Sequence, residues 1–215
     1  YARRALDALN GGTTVIGPGT LGKQEPPGSV STYDEVIPQG KIVANEIQRT
    51  MARATPVTDS TIDADEQTMT TLADNEKLLI GISLHIIPEG ICLDEEEFCT
   101  LPRSKEPPYM TDGPDDDTKL ITTHVTTMRI GDLVYTTNPG EAFAEVNFAI
   151  RDGISGARNV ATLSQSGDML GYYYERDDYT PLQFGSSNFP TYNVGPNLPA
   201  DNVAASLAGA KASGF

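Results

Sequence analysis

The spacing of apolar positions alternates along the chain between helical and strand-like periods. Val43, Ile47, Met51 and Ala54 recur at intervals of four, four and three, with Glu46, Arg49 and Arg53 on another face, so Gly40 to Ala54 reads as an amphipathic helix. The run Lys77-Leu78-Leu79-Ile80-Gly81-Ile82-Ser83-Leu84-His85-Ile86-Ile87 has the apolar, β-branched character of a buried strand, and Pro88 ends it. Lys119 to Ile130 and Leu133 to Thr137 flank Gly131-Asp132, a two-residue link with Gly first, which is the sign of a type II′ hairpin. Leu133 to Thr137 then runs into Asn138-Pro139-Gly140-Glu141. Beyond that turn, Phe143, Val146 and Ile150 mark a helix that stops at Gly153. Val160 to Leu163 suits another strand, and Asn202 to Ala212 a small Ala-rich helix.

The intervening stretches are polar or rich in breakers. Gly11 to Gln39 carries Gly17-Pro18-Gly19 and Glu25-Pro26-Pro27-Gly28 and reads as a long loop. Thr58 to Asn75 is acidic and polar, either loop or weak helix. Glu89 to Asp117, with Pro107, Pro108 and Gly113-Pro114, reads as a surface excursion, and Ser164 to Phe189 as a polar and aromatic loop. The sum is an α/β chain, a mixed sheet with flanking helices in a single or partial domain over residues 1–215, loop-rich at 11–39 and with an insertion at 88–118.

Charge narrows the partners. Thirty acidic against fifteen basic residues give a formal net charge of −15, so a nucleic-acid backbone would be repelled. No apolar run approaches the roughly 20 residues of a membrane helix, so no transmembrane segment is expected. Cys92 and Cys99 have no second pair and no nearby His to complete a zinc site, and they read as a small-loop disulfide worth roughly 2 to 3 kcal/mol in chain entropy. That pairing favours an extracellular or cell-surface location; the alternative is two reduced cysteines in the cytosol. The opening Tyr1 to Leu9 reads as the tail of a helix, which raises the expectation of a processed subunit or fragment.

Candidate chemistry concentrates in two places. Glu141 follows a Pro-Gly turn out of a strand and is expected in the first turn of a helix, where free N–H groups favour the carboxylate; that suits a metal ligand or, equally, an end-capping charge. Four of nine tyrosines fall between Tyr172 and Tyr179, a density that suits a pocket lining, a carbonyl donor or a phenolate ligand, or a loop packed on the core. His85 and His124 lack the paired spacing of a zinc motif and read as structural. The acidic runs Asp94 to Glu97 and Asp115 to Asp117 lack the alternating ligands of a calcium loop. Ser186 to Pro196 is rich in small hydrogen-bonding side chains and suits a groove edge or an ordered loop.

Asn138-Pro139-Gly140-Glu141, followed by Gly171-Tyr172 and Asp177-Asp178-Tyr179, resembles the end of the catalytic domain of the neutral, non-lysosomal ceramidases. In that family one zinc is held by two histidines from early in the domain, by the Glu of the Pro-Gly-Glu turn and by the first Tyr of the later motif. The resemblance therefore implies Glu141 and Tyr172 as zinc ligands, and Tyr179 and Phe184 as substrate-facing positions. It covers roughly Lys119 onward. The family's nucleophilic Ser and both His ligands lie upstream of it, and Phe184 stands where the family has a Tyr that helps hold the scissile carbonyl. The implied protein is the C-terminal part of a secreted, ceramidase-like zinc hydrolase acting on an amide or ester, with a lipid or amide substrate. Its partner is an upstream chain or segment that brings the histidines and the nucleophile. The rival is a non-catalytic extracellular binding or assembly module that keeps the fold.

Overall fold

A computed structural model describes residue 19 and residues 33–83, 109–115, 119–173 and 193–215. Two compact units divide these, one holding the described residues up to Thr58 and the other Gly19 and those from Asp59 to Phe215.

The first unit contributes helix α1, Tyr33–Met51. It begins well before Gly40 and carries Pro38 inside it, so the helix reaches into the stretch expected to be a loop. Spacing selected Val43 and Met51 as its inner face, yet each is 50% exposed, and Ala44 is the buried position. Near its end, Arg49 Nη1 meets Glu46 Oε2 at 3.3 Å, an exposed pair of little energetic weight.

The second unit is built on β3, Lys119–Ile130, the long central strand of a five-stranded sheet. Strand β1, Ile62–Ala73, pairs antiparallel along its whole length, from Ile62 opposite Ile130 to Ala73 opposite Lys119. Most of the stretch Thr58 to Asn75, from Ile62 to Ala73, is thus a strand rather than a loop or weak helix. Met69, Thr71 and Ala73 are buried and the residues between them are not, an alternation that threonine obscures in sequence because its methyl group packs while its hydroxyl reads as polar. On its other edge β3 meets β2, Tyr109–Asp112, near one end and β4, Leu133–Asn138, near the other, both antiparallel. The expected excursion therefore returns to the sheet at β2. Gly131, with φ +60°, makes the expected two-residue link between β3 and β4.

Beyond β4 come the two-residue strand β5, Glu141–Ala142, helix α3, Ala144–Gly153, and β6, Asn159–Ser164, which lies parallel to β4. Helix α4, Leu198–Ala212, lies across β1 and β3, with α3 beside it. The result is a mixed sheet with flanking helices. The core joins Met69, Ile121, Val125 and Val134 of the sheet to Val146 and Ile150 of α3 and Leu198 and Ala210 of α4. Phe143, Val146 and Ile150 are buried as their spacing predicts.

Residues Glu76–Ser83 form helix α2 instead of the strand expected from Lys77 onward. A short apolar run has no period that separates the two states. Here Glu76 at the N-terminal turn and the bond from Leu79 N–H to Asn75 O (3.0 Å) start a helix. His85, Cys92 and Cys99 lie outside the described residues, as does the reading of Tyr1 to Leu9.

Hydroxyls and amides thread the interface between sheet and helices. Thr127 Oγ1 meets Thr136 Oγ1 at 3.3 Å, and Thr136 Oγ1 donates to Ser206 Oγ of α4 at 3.1 Å. One layer further, Asn202 Nδ2 of α4 donates to Asn138 Oδ1 (2.7 Å), and Asn138 Nδ2 donates to Asn147 Oδ1 of α3 (2.8 Å). All three asparagines are buried, so each bond is made in a setting where leaving it unmade would be expensive. The relay fixes the last residue of β4, and with it the start of the turn that leads to Glu141.

Candidate functional site

The turn after Asn138 is held by its neighbours at close quarters. Gly140 N–H donates to Asn138 O (2.8 Å), Ser166 N–H to the same carbonyl (3.2 Å), and Leu170 N–H to Pro139 O (2.8 Å). Gly140 has φ +155°, and a Cβ on it would lie 2.5 Å from Gly171 O and 2.6 Å from Tyr173 Cε1. Only glycine lets the chain pass there.

Glu141 emerges into β5, not into the first turn of a helix. Phe143 is the N-cap of α3, and Glu145 supplies the acid of its first turn. The two residues between the turn and the helix are claimed by β7, Tyr172–Tyr173, in a parallel ladder that sets Glu141 opposite Tyr172 and Ala142 opposite Tyr173. Glu141 N–H donates to Gly171 O and Phe143 N–H to Tyr173 O, each at 2.8 Å. Register-matched residues of a parallel pair project from the same face. Ala142 and Tyr173 are both buried in the core, and Glu141 and Tyr172, half-buried, project on the opposite side. A carboxylate and a phenol separated by 31 positions in sequence thus share one face.

Buried amides brace the ladder from behind. Asn193 Nδ2 donates to Tyr172 O, its Oδ1 accepts from Gly195 N–H at 2.6 Å, and its own carbonyl accepts from Asn75 Nδ2 at the start of α2. Asn193 to Gly195, in the stretch read as a groove edge or ordered loop, is therefore ordered and buried. From the front, Gln165 Nε2 donates to Glu141 Oε1 at 2.6 Å. Gln165 is one residue past β6, and a shallow open depression lined by Gln165, Gly167, Asp168 and Met169 adjoins it. Asp168 accepts from Thr123 Oγ1 at 3.0 Å. Burial first, and the Asp168 charge second, push the Tyr173 phenol well above its ordinary pKa, so it stays neutral.

Tyr172 and Glu141 are brought together; Tyr179 and Phe184 lie outside the described residues. His124 sits on β3 with Nδ1 3.7 Å from Glu66 Oε1. Among the described residues no group of three or more His, Cys, Asp or Glu side chains gathers to hold a metal. As donors, the Glu141 carboxylate and the Tyr172 phenol are oxygens acceptable to zinc, and a four-coordinate shell would need further ligands. Gln165 carries no signal in the sequence, and Asn193 is covered only as part of the stretch read as a groove edge or ordered loop. A donor aimed at a carboxylate 24 positions away leaves no local signal.

No family model matches the sequence, and no curated protein matches it. Solved structures do. One is a neutral ceramidase from Pseudomonas aeruginosa, similar over 98% of this chain with a TM-score of 0.57 at 12% identity. The chain spans 39% of that ceramidase's length. A second, described as a ceramidase complexed with C2, covers 43% of this chain and 15% of its own at 19% identity and a TM-score of 0.38. The first likeness shows a shared fold: this chain has the architecture of part of a neutral ceramidase. Among the described residues no helix is long and apolar enough to cross a membrane.

Proposed function

We propose that this chain is the C-terminal part of a secreted, ceramidase-like zinc hydrolase that cleaves an amide or ester bond and is completed by an upstream segment or chain. The observation that carries the reading is the register of β5 on β7. It sets Glu141 beside Tyr172 on one face, the two residues that resemblance to the ceramidases implies as ligands. The shared fold supports it. Zinc, when bound, polarises a carbonyl and activates an attacking oxygen. This chain's share is to present one carboxylate oxygen and one phenol oxygen from a ladder fixed by main-chain bonds, with the Gly140 turn and the buried asparagines keeping both strands in place. The upstream part would bring two histidines and the nucleophile, and the substrate would be a lipid or another amide.

Phe184 favours a second reading, a non-catalytic extracellular module on the same fold, because a phenyl ring has no O–H to donate to an oxyanion. Native mass spectrometry of the protein from its natural source, with any companion chain, tests both. One zinc in the wild type, lost in Glu141→Gln with the fold retained, is the outcome expected of the hydrolase; a metal-free wild type would favour the module.

A further inference from the structure

Gln165 is the one non-glycine residue among those described with a left-handed backbone, φ +53°. A side chain longer than Asn or Asp is uncommon in that region, and where it persists the surroundings must hold it there. Two sets of bonds do so. Its N–H donates to Gly140 O at 2.8 Å, directly before Glu141, and its side-chain Nε2 donates to Glu141 Oε1 at 2.6 Å. An ionised carboxylate only accepts, so the amide must present N–H to it, and such charge-assisted bonds are short. Ser166 N–H, the next along, reaches Asn138 O at 3.2 Å, so the left-handed residue aims two consecutive N–H groups and one side chain at the same turn. Glycine would make that turn without strain, but it would remove the side-chain bond that Gln165 gives the Glu141 carboxylate.

We infer that Gln165 is the positioning residue of Glu141: it anchors Oε1 and leaves Oε2, which accepts no bond among the described residues, turned toward the face shared with Tyr172. The inference rests on the zinc reading above. Residues that orient a metal-binding carboxylate typically contribute about 10-fold to 100-fold to metal affinity.

The test uses the protein from its natural source with any companion chain, its zinc affinity read by competition with a chromophoric chelator. Glu141→Gln, Gln165→Met and Gln165→Gly are compared. Met keeps the length without a donor; Gly removes the side chain while suiting the left-handed backbone, so its fold should hold even if Gln165→Met does not. The expected result is loss of zinc in Glu141→Gln and affinity about 10-fold to 100-fold weaker in both Gln165 variants. Visible bands of the cobalt-substituted protein should shift in the Gln165 variants, and the thermal midpoint of Gln165→Gly should match or exceed that of the wild type. Wild-type affinity and cobalt bands in Gln165→Gly, with zinc lost in Glu141→Gln, would overturn the role of Gln165 and leave the zinc reading standing. No zinc in the wild type, or zinc retained in Glu141→Gln, would overturn both.

Discussion

At its first residue β4 enters from a hairpin tied by charged groups near water, and at its last it leaves through a turn tied by buried amides. Beside the hairpin, Arg129 reaches Gly131 O (2.7 Å), Ser213 O (3.2 Å) and Asp59 Oδ2 (3.4 Å), and it lies over the Phe215 ring, 4.8 Å from its centre. These contacts look as numerous as those at Asn138. The difference is solvent: Asp59 is half-exposed, and water replaces most of what such a pair loses. At the other end Asn138, Asn147 and Asn202 are buried, and nothing replaces a lost bond. Similar bond counts therefore carry different weight, and the end with the greater weight is the one that carries Glu141.

The largest effect should come from Asn138→Ala. It removes the acceptor of Asn202 Nδ2 and the donor to Asn147 Oδ1 in one step, each lost buried bond costing about 1 to 3 kcal/mol, and denaturant midpoints should fall accordingly. A loss under 1 kcal/mol would mean that the relay does not hold the turn.

Tyr173→Phe sharpens the contrast between the two faces of the ladder. The Tyr173 hydroxyl is buried without a partner among the described residues, so its removal should stabilise the fold by about 1 kcal/mol, measured by urea unfolding at neutral pH. Its pKa in the fold is raised well above 10.0, so the unfolded phenol ionises first. Stability is whole below that value and declines as pH climbs through the folded pKa, and the phenylalanine variant should lack this alkaline slope.

The smallest effect belongs to the hairpin end. The Thr61 hydroxyl and backbone N–H, and then the Arg129 charge, hold the Asp59 carboxyl below its ordinary 3.8. Its contribution is present above that value and is lost as pH falls through the folded pKa. Thermal midpoints of Asp59→Asn and the wild type should differ slightly at neutral pH and converge in acid. Breaking the exposed pair alone, as Asp59→Asn does, should cost far less than Asn138→Ala, and an equal loss would erase the distinction between the two ends.

Legibility in the sequence followed the same physics. The hairpin at Gly131-Asp132, the strand, turn and helix around Glu141, strand β6 and the terminal helix were all visible, because turn formers and apolar spacing are local. Helix α2 was mistaken for a strand because a short apolar run fits either state, and β1 was missed because Thr71 is buried while counting as polar. For the candidate site, Glu141 and the tyrosine cluster stood out locally, but their pairing as ligands came only through resemblance; Glu141 was expected on a helix, and Gln165 left no signal.

The sequence by itself determined where the chain turns, which segments are apolar enough to be buried, and that a carboxylate follows a Pro-Gly turn. Those are properties of neighbouring residues, fixed by backbone sterics and by the period of side chains along one element. Only the tertiary structure decided that Tyr172 lies opposite Glu141, that three buried asparagines pin the turn, and that a left-handed glutamine meets the carboxylate. Strand register and long-range hydrogen bonds are settled by how the whole core closes, and no local window of sequence contains that information.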